Sequence, residues 1–415
     1  MSKIPHHTIL LLLRRLAGFS SLSLLSVLTP FLLLPILARI STKEVWSSIA
    51  IGQSVGNFAA IVVSFGWTLR GPAIVGRSPR NERPALYVES LLARLFVFAV
   101  TMPAVIVIVA LLTPSAGRVI GICMAGVIAL SGLSAAWFNI GEGRPSDIAI
   151  YEALPRMLAT GISAIGLAIF NAPILYPVLL GIFTIAGLTM FTHRVCGNTF
   201  SSHVSDSSLR KTLRPAVPAA VTVTAGAGYS SSTVAIVAIS APLSSQSAYV
   251  SGDKVYGLGL YAITAVANSF QGWVAEVAGV RAWKRMKAAI VAHAFLGIIG
   301  GLVLAISGPA ATRLLFGKRL EASRETMTWL GVSFLFLSLN TALGRLALTP
   351  LQQDRAVLFS TLSGSVVGVP LLIIGADVAG ANGAAFGLAV SQGVVLLVQV
   401  VALMQYRSRQ KLTNL

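Results

Sequence analysis

Apolar runs of 18 to 27 residues, parted by short polar stretches, fill almost the whole chain. At about 1.5 Å per residue each is long enough to cross a hydrocarbon core of about 30 Å with little to spare. Twelve such spans are predicted: 16–38, 45–65, 86–112, 119–138, 148–170, 174–191, 216–240, 255–277, 288–307, 327–347, 356–375 and 381–404. No stretch between them is large enough for a soluble domain. The first span is polar along one side, because Ser20, Ser23, Ser26 and Thr29 recur every third residue among leucines. Pro30 and Pro35 then remove backbone donors from its second half, and the freed carbonyls need a partner in protein or in a watery cavity. This helix is read as one wall of such a cavity. Span eight is read as another, since Lys254, Gly257, Tyr261, Thr264, Asn268 and Gln271 follow helical spacing of three and four.

Composition agrees with the pattern. Of 415 residues, 55% are hydrophobic and 11% charged, whereas soluble domains carry about 25% charged residues. The formal charge is +18; in a chain of membrane spans this bears on orientation, and no nucleic-acid partner is expected. Laid on alternating sides of the spans, 22 of the 31 Lys and Arg residues fall on the side that holds both termini and 8 on the other, with Arg94 inside span three. Both termini are therefore expected in the cytoplasm, and the first span is expected to stay as an uncleaved anchor. Span seven resembles span one in its preceding basic residues (Arg210, Lys211, Arg214), its prolines (Pro215, Pro218) and its polar side. Two six-helix lobes follow, residues 1–200 and 201–415, related as parallel repeats and joined by the Ser-rich basic loop 193–214.

Little in the sequence points to covalent chemistry. The outer connections 40–44, 171–173 and 376–380 are short, and the longest, 308–326, places Glu321 and Glu325 beside four basic residues with no catalytic pairing. The five histidines form no cluster, Cys123 and Cys196 have no metal-ligand spacing, and neither a catalytic residue, a metal nor a cofactor is expected. Charges at membrane depth carry more information, each costing about 2.5 to 3.5 kcal/mol at a helix centre. Arg94 either serves a ligand or snorkels to the headgroups, Arg15 and Arg39 either serve a ligand or anchor helix ends, and Arg345, closing span ten at the inner surface, is expected to anchor. The set is richer in Arg and Lys than in acids and suits an anion, because guanidinium forks match phosphate oxygens.

Several short motifs then fall in a recognisable order. They are Arg14-Arg15-Leu16-Ala17-Gly18 with residues 34–44 (LPILARISTKE), residues 64–71 (SFGWTLRG), residues 136–143 (AWFNIGEG), Asp253-Lys254-Val255 and Leu315-Phe316-Gly317. Together they resemble Wzx-type polysaccharide flippases of the multidrug/oligosaccharidyl-lipid/polysaccharide exporter superfamily. Asn139-Ile140 departs from the family's usual Phe-Gln, and the family's proline in span eight is absent. The resemblance implies an all-α polytopic protein of the bacterial inner membrane, with two six-helix lobes around a central cavity. It implies alternating access that moves an undecaprenyl-pyrophosphate-linked oligosaccharide to the outer leaflet for polysaccharide biosynthesis, with basic residues at Arg15, Arg39, Arg70 and Lys254 where the family places them. Polymerase and chain-length proteins, besides membrane lipids, are the partners it implies.

The expected contacts are therefore Arg15, Arg39, Arg94 and Lys254 to pyrophosphate and Asn268 and Gln271 to sugar hydroxyls, with Arg70 as a further substrate-binding residue. Asp253 and Glu276 are the candidates for ion coupling. A multidrug exporter of the same fold, or a membrane polymerase or ligase acting on the same sugars, are the alternatives. The orientation has a direct test: Arg319→Cys should be labelled by a membrane-impermeant maleimide in intact cells, and Arg409→Cys only once the membrane is opened.

Overall fold

The structure, a computed structural model, describes residues 33–197, 212–275 and 279–413. Among these the chain is helical without strands, and its contacts divide it into two compact units, Met1–Ser232 and Thr233–Leu415. The first unit holds α1 (residues 33–40), α2 (Lys43–Ser64), α3 (Trp67–Arg77), α4 (Arg83–Leu112), α5 (Arg118–Leu130), α6 (Ala136–Glu142), α7 (Pro145–Phe170) and α8 (Leu175–Cys196). The next helix, α9 (Val217–Val237), has its first part in this unit. The second unit continues with α10 (Leu243–Ala275), α11 (Gly279–Phe316) and α12 (Arg324–Thr341, extended to Leu348 by a π-helical segment). It ends with α13 and α14 (residues 354–378 and 381–413), which meet at a bend at Ala379 and Gly380.

Each predicted span beyond the first coincides with one of these helices or with a closely coupled pair of them, and 33–40 supplies the end of the first. The serine stripe of span one lies outside the described residues. Among the described residues eight helical stretches are long and apolar enough to cross a membrane, α13 and α14 being joined in one of them. The polar residues of α10 keep that helix below the same hydropathy level. Large apolar side chains point outward on several helices, among them Leu111, Ile165, Val291, Phe295, Leu314, Val366 and Val378. This is how helices bathed in lipid tails are expected to look.

Four boundaries differ from expectation, each for a local reason. The basic stretch after span two is a helix, because Phe65 and Gly66 adopt left-handed conformations (φ 46° and 74°) that kink the chain without ending its helical course. Arg70 and Arg77 therefore lie on α3. Span four is broken at Ser131–Leu133 by a single 3-10 turn and resumes as α6. Span eight begins at Leu243, so Asp253 and Lys254 stand ten residues inside α10, roughly 15 Å along its axis. Span nine continues to Phe316, which shortens the outer connection expected at 308–326 to a few residues before the Ser323 cap of α12.

Within lipid the helices of each unit gain little from apolar burial and approach through small residues instead. A Cβ at Gly52 on α2 would lie 2.3 Å from the Gly121 carbonyl oxygen on α5, and one at Gly56 would lie 2.7 Å from the Ala125 oxygen. In the second unit Gly301 of α11 and Gly331 of α12 meet in the same way, as do Gly375 of α13 and Gly383 of α14. A core of Leu33, Leu37, Ile49, Met124, Ala159 and Tyr176 joins α1, α2, α5, α7 and α8. Gly52→Ala should lower the thermal unfolding midpoint in detergent by the equivalent of roughly 1 to 3 kcal/mol, since a backbone carbonyl cannot step aside. Gly161→Ala, where a Cβ meets open space, should leave it unchanged or slightly raised.

Candidate functional site

The polar stripe of α10 keeps the geometry read from its spacing. Lys254, Gly257, Tyr261, Thr264, Asn268 and Gln271 are all at least partly exposed within their unit. Tyr249, Tyr256, Ile263, Ala267 and Val274 fill the opposite face and are buried. At the far end of the stripe, one Nη of Arg345 donates to Asn268 Oδ1 at 2.7 Å and to Gln271 Oε1 at 2.6 Å. Both amides on α10 thus hold one guanidinium from α12, leaving its other Nη and its Nε to donate elsewhere.

Arg345 owes its placement to irregular backbone. Residues Ala342–Leu348 form a π-helix, with the Thr349 amide bonded to the Gly344 carbonyl five residues back. The extra residue per turn displaces the side chains that follow, and such segments recur at functional sites. Leu346 and Ala347 pack into a core with Val274, Ala282, Met286 and Ala289, which fixes the segment while Arg345, immediately before them, reaches the stripe. Sequence reasoning gave Arg345 an anchoring role as its first expectation; its pairing with Asn268 and Gln271 links helices far apart in sequence and had no local signal.

In the first unit, the two motifs at 64–71 and 136–143 form one packed joint. Trp67 and Trp137 lie with ring centroids 4.8 Å apart, and Gly71 lies under Trp137, where a Cβ would come within 2.3 Å of the ring. Phe138, Tyr87 and Phe191 continue the aromatic cluster edge to face. Glu142 of the second motif pairs with Arg83 at 3.2 Å and Arg144 at 3.4 Å.

Beside this joint sits Arg94, 1% exposed. Its guanidinium donates to the carbonyls of Ser90 (3.2 Å), Gly132 (3.2 Å) and Ser134 (2.8 Å), and to the Ser90 hydroxyl (3.3 Å). Gly132 and Ser134 belong to the break in span four, so Arg94 supplies donors for carbonyls that the interrupted helix leaves without partners. The Ser134 hydroxyl donates to Glu152, both of whose oxygens lie 2.8 Å away. A cation and an anion are thereby bridged through one serine. Glu152 lies in a second π-helical segment, Ala149–Ala153, and Asn139 lies close by, buried, with neither amide atom hydrogen-bonded.

The structure therefore gives Arg94 a different occupation from the expected pyrophosphate contact: it neither snorkels nor faces the exterior of its unit. Arg70 lies over the Trp67 ring at 4.5 Å and donates to the Thr212 carbonyl at 3.4 Å. Arg39 is exposed on the last turn of α1, and Asp253 and Lys254 sit side by side in mid α10. Arg15 and Glu276 lie outside the described residues. Among the described residues no three His, Cys, Asp or Glu side chains gather as a metal site.

The sequence matches no protein-family model and no curated protein. Solved structures do match. An inward-facing multidrug resistance MATE family transporter of the MOP superfamily is 14% identical over 92% of this chain and 97% of its own, with a TM-score of 0.68. The lipid II flippase MurJ, in an inward closed conformation, is 12% identical over 92% of this chain and 87% of its own, also at 0.68. The eukaryotic MATE transporter AtDTX14 gives 0.62 at 13% identity, over 94% of this chain and 95% of its own. The chain has the fold of these transporters. It is an all-α polytopic membrane protein, and the likeness extends through both of its units.

Loss of Arg94 should be costly. Arg94→Leu leaves the carbonyls of the span-four break without donors and Glu152 without its bridged counter-charge, and should destabilise by about 3 kcal/mol or more. Thermal unfolding in detergent should show a large drop in midpoint, with Arg94→Lys recovering part of it.

Proposed function

We propose that the chain is a flippase of the Wzx type, moving an undecaprenyl-pyrophosphate-linked oligosaccharide from the cytoplasmic to the outer leaflet of a bacterial inner membrane. The observation that carries this reading is the Arg345 guanidinium, oriented by Asn268 and Gln271 at one end of the α10 stripe. Two amides fix the plane of the fork, and its remaining N–H groups can meet phosphate oxygens. The other amide donors and the hydroxyls along α10 suit sugar hydroxyls. Lys254, in mid α10, adds a second cation to the same stripe, and Arg15, Arg39 and Arg70 remain the proposed contacts from the first lobe, with Arg345 taking the part first given to Arg94.

Transport proceeds by alternating access of the two lobes, without covalent chemistry. Asp253, beside Lys254, is the proposed ion-coupling residue among those described. Polymerase and chain-length proteins would receive the product outside. A multidrug exporter is the second reading, favoured by the likeness to MATE transporters, which equals that to the lipid II flippase in TM-score. It is disfavoured by a guanidinium at one end of the polar stripe, where a cationic drug would meet repulsion.

Deletion of the gene should strand undecaprenyl-pyrophosphate oligosaccharide in the cytoplasmic leaflet; display of single repeat units outside would instead identify a polymerase. In vesicles containing the lipid-linked oligosaccharide, Arg345→Ala should reduce flipping by about tenfold or more, the loss expected for one charge-assisted hydrogen bond of roughly 1.5 kcal/mol or above. Arg345→Lys should restore only part of it, since an ammonium does not reproduce the fork. Drug efflux that persists in cells where the lipid-linked sugar is not moved would favour the exporter.

A further inference from the structure

At the end of the second unit where α11 begins and α14 finishes, four side chains line an open cavity of about 300 Å³: Trp283, Lys284, Lys287 and Arg407. Residues 120 positions apart in the chain meet here because Trp283 and Leu403 both pack on the core that joins α11 to the π-helical end of α12. The Arg407 guanidinium lies over the Trp283 ring, 5.2 Å from its centroid, which holds both in place. Lys284 and Lys287 are one turn apart on α11 and exposed.

The charges at this cavity differ in kind from those at the comparable basic end of the first unit. There, Arg83 and Arg144 pair with Glu142, and Arg194 pairs with Asp147. Around Trp283 three cations converge, and the ion pairs found among the described residues involve none of them. Three like charges gathered on one cavity repel one another, and an anion relieves that cost. Both helices are membrane-spanning by length and hydropathy, α11 from Arg281 and α14 to Ser408, so the cavity lies at the level of the headgroups. Basic pockets between helix ends at this depth are suited to anionic lipid, with a Trp ring at the interface.

The geometry points to a binding site here for the phosphate of an anionic phospholipid, separate from the stripe proposed for the transported substrate and independent of what that substrate is. Its test is a titration of the detergent-solubilised full-length protein with phosphatidylglycerol and, separately, phosphatidylcholine, followed by native mass spectrometry. The wild-type protein should retain phosphatidylglycerol preferentially. Lys284→Ala with Lys287→Ala and Arg407→Ala should weaken its first binding event by roughly fivefold for each charge removed, with phosphatidylcholine unaffected. Lys318→Ala with Arg319→Ala, in the connection before α12, should change nothing. Lys287→Ala alone, expected to fold in any case, should give a single fivefold step. Unchanged phosphatidylglycerol binding in the Lys287→Ala protein and in a folded triple variant would overturn the site. So would displacement of the lipid by millimolar inorganic phosphate, which would make it a site for the free ion.

Discussion

One guanidinium holds the first unit in its working shape. A helix that breaks inside a membrane exposes carbonyls where no water can reach them, and the break after Leu130 is tolerable because Arg94 crosses from α4 to satisfy Gly132 and Ser134. The arrangement then propagates. With span four interrupted, α6 can turn so that Trp137 lies over Gly71 and against Trp67, and Ser134 can hand its hydroxyl to Glu152. A buried arginine on its own would be an expensive residue; bridged to a carboxylate and wrapped in carbonyls, it becomes the piece around which α3, α4, α6 and α7 agree.

The same economy recurs in the second unit with the sign of the local problem changed. Each unit places a charged residue in a π-helical segment, Glu152 in one and Arg345 in the other. Glu152 is turned inward to a serine, whereas Arg345 is turned to an exposed polar stripe and is only half committed to protein partners. That difference separates a charge committed to protein partners from one with donors left over, which is the one proposed to meet a ligand. Arg94 and Arg345 both read from sequence as arginines of membrane spans, and their different partners emerge only in the fold.

The approximate positions of the spans beyond the first were legible because about 20 consecutive apolar residues leave few alternatives. The ends were less so. Span eight was started at Val255 because Asp253 and Lys254 look like a surface, yet the helix reaches back to Leu243 through Ser and Gln residues that a polar stripe can carry. The kink at Phe65 was hidden because a phenylalanine in the left-handed region breaks the usual preference for glycine there. The α10 stripe itself was readable from spacing alone. Its partner was not, since Arg345 joins Asn268 across 77 positions of chain, and no local pattern encodes a contact of that range. The motifs at 64–71 and 136–143 were visible as words, but that they name two halves of one joint emerged only from the Trp67–Trp137 contact.

The glycine crossings bear on how such a fold persists while its sequence drifts. Where Gly52 meets Gly121, or Gly301 meets Gly331, the contact is made by main chain that every residue shares, and the only demand on the side chain is that it be absent. The lipid-facing positions ask for nothing more than grease. Much of each helix is therefore free to change its letters, provided a sparse row of small residues keeps its register. Proteins that share this architecture at 12 to 14% identity are then what such a loose code should produce, and their likeness in fold is written more in spacing than in spelling.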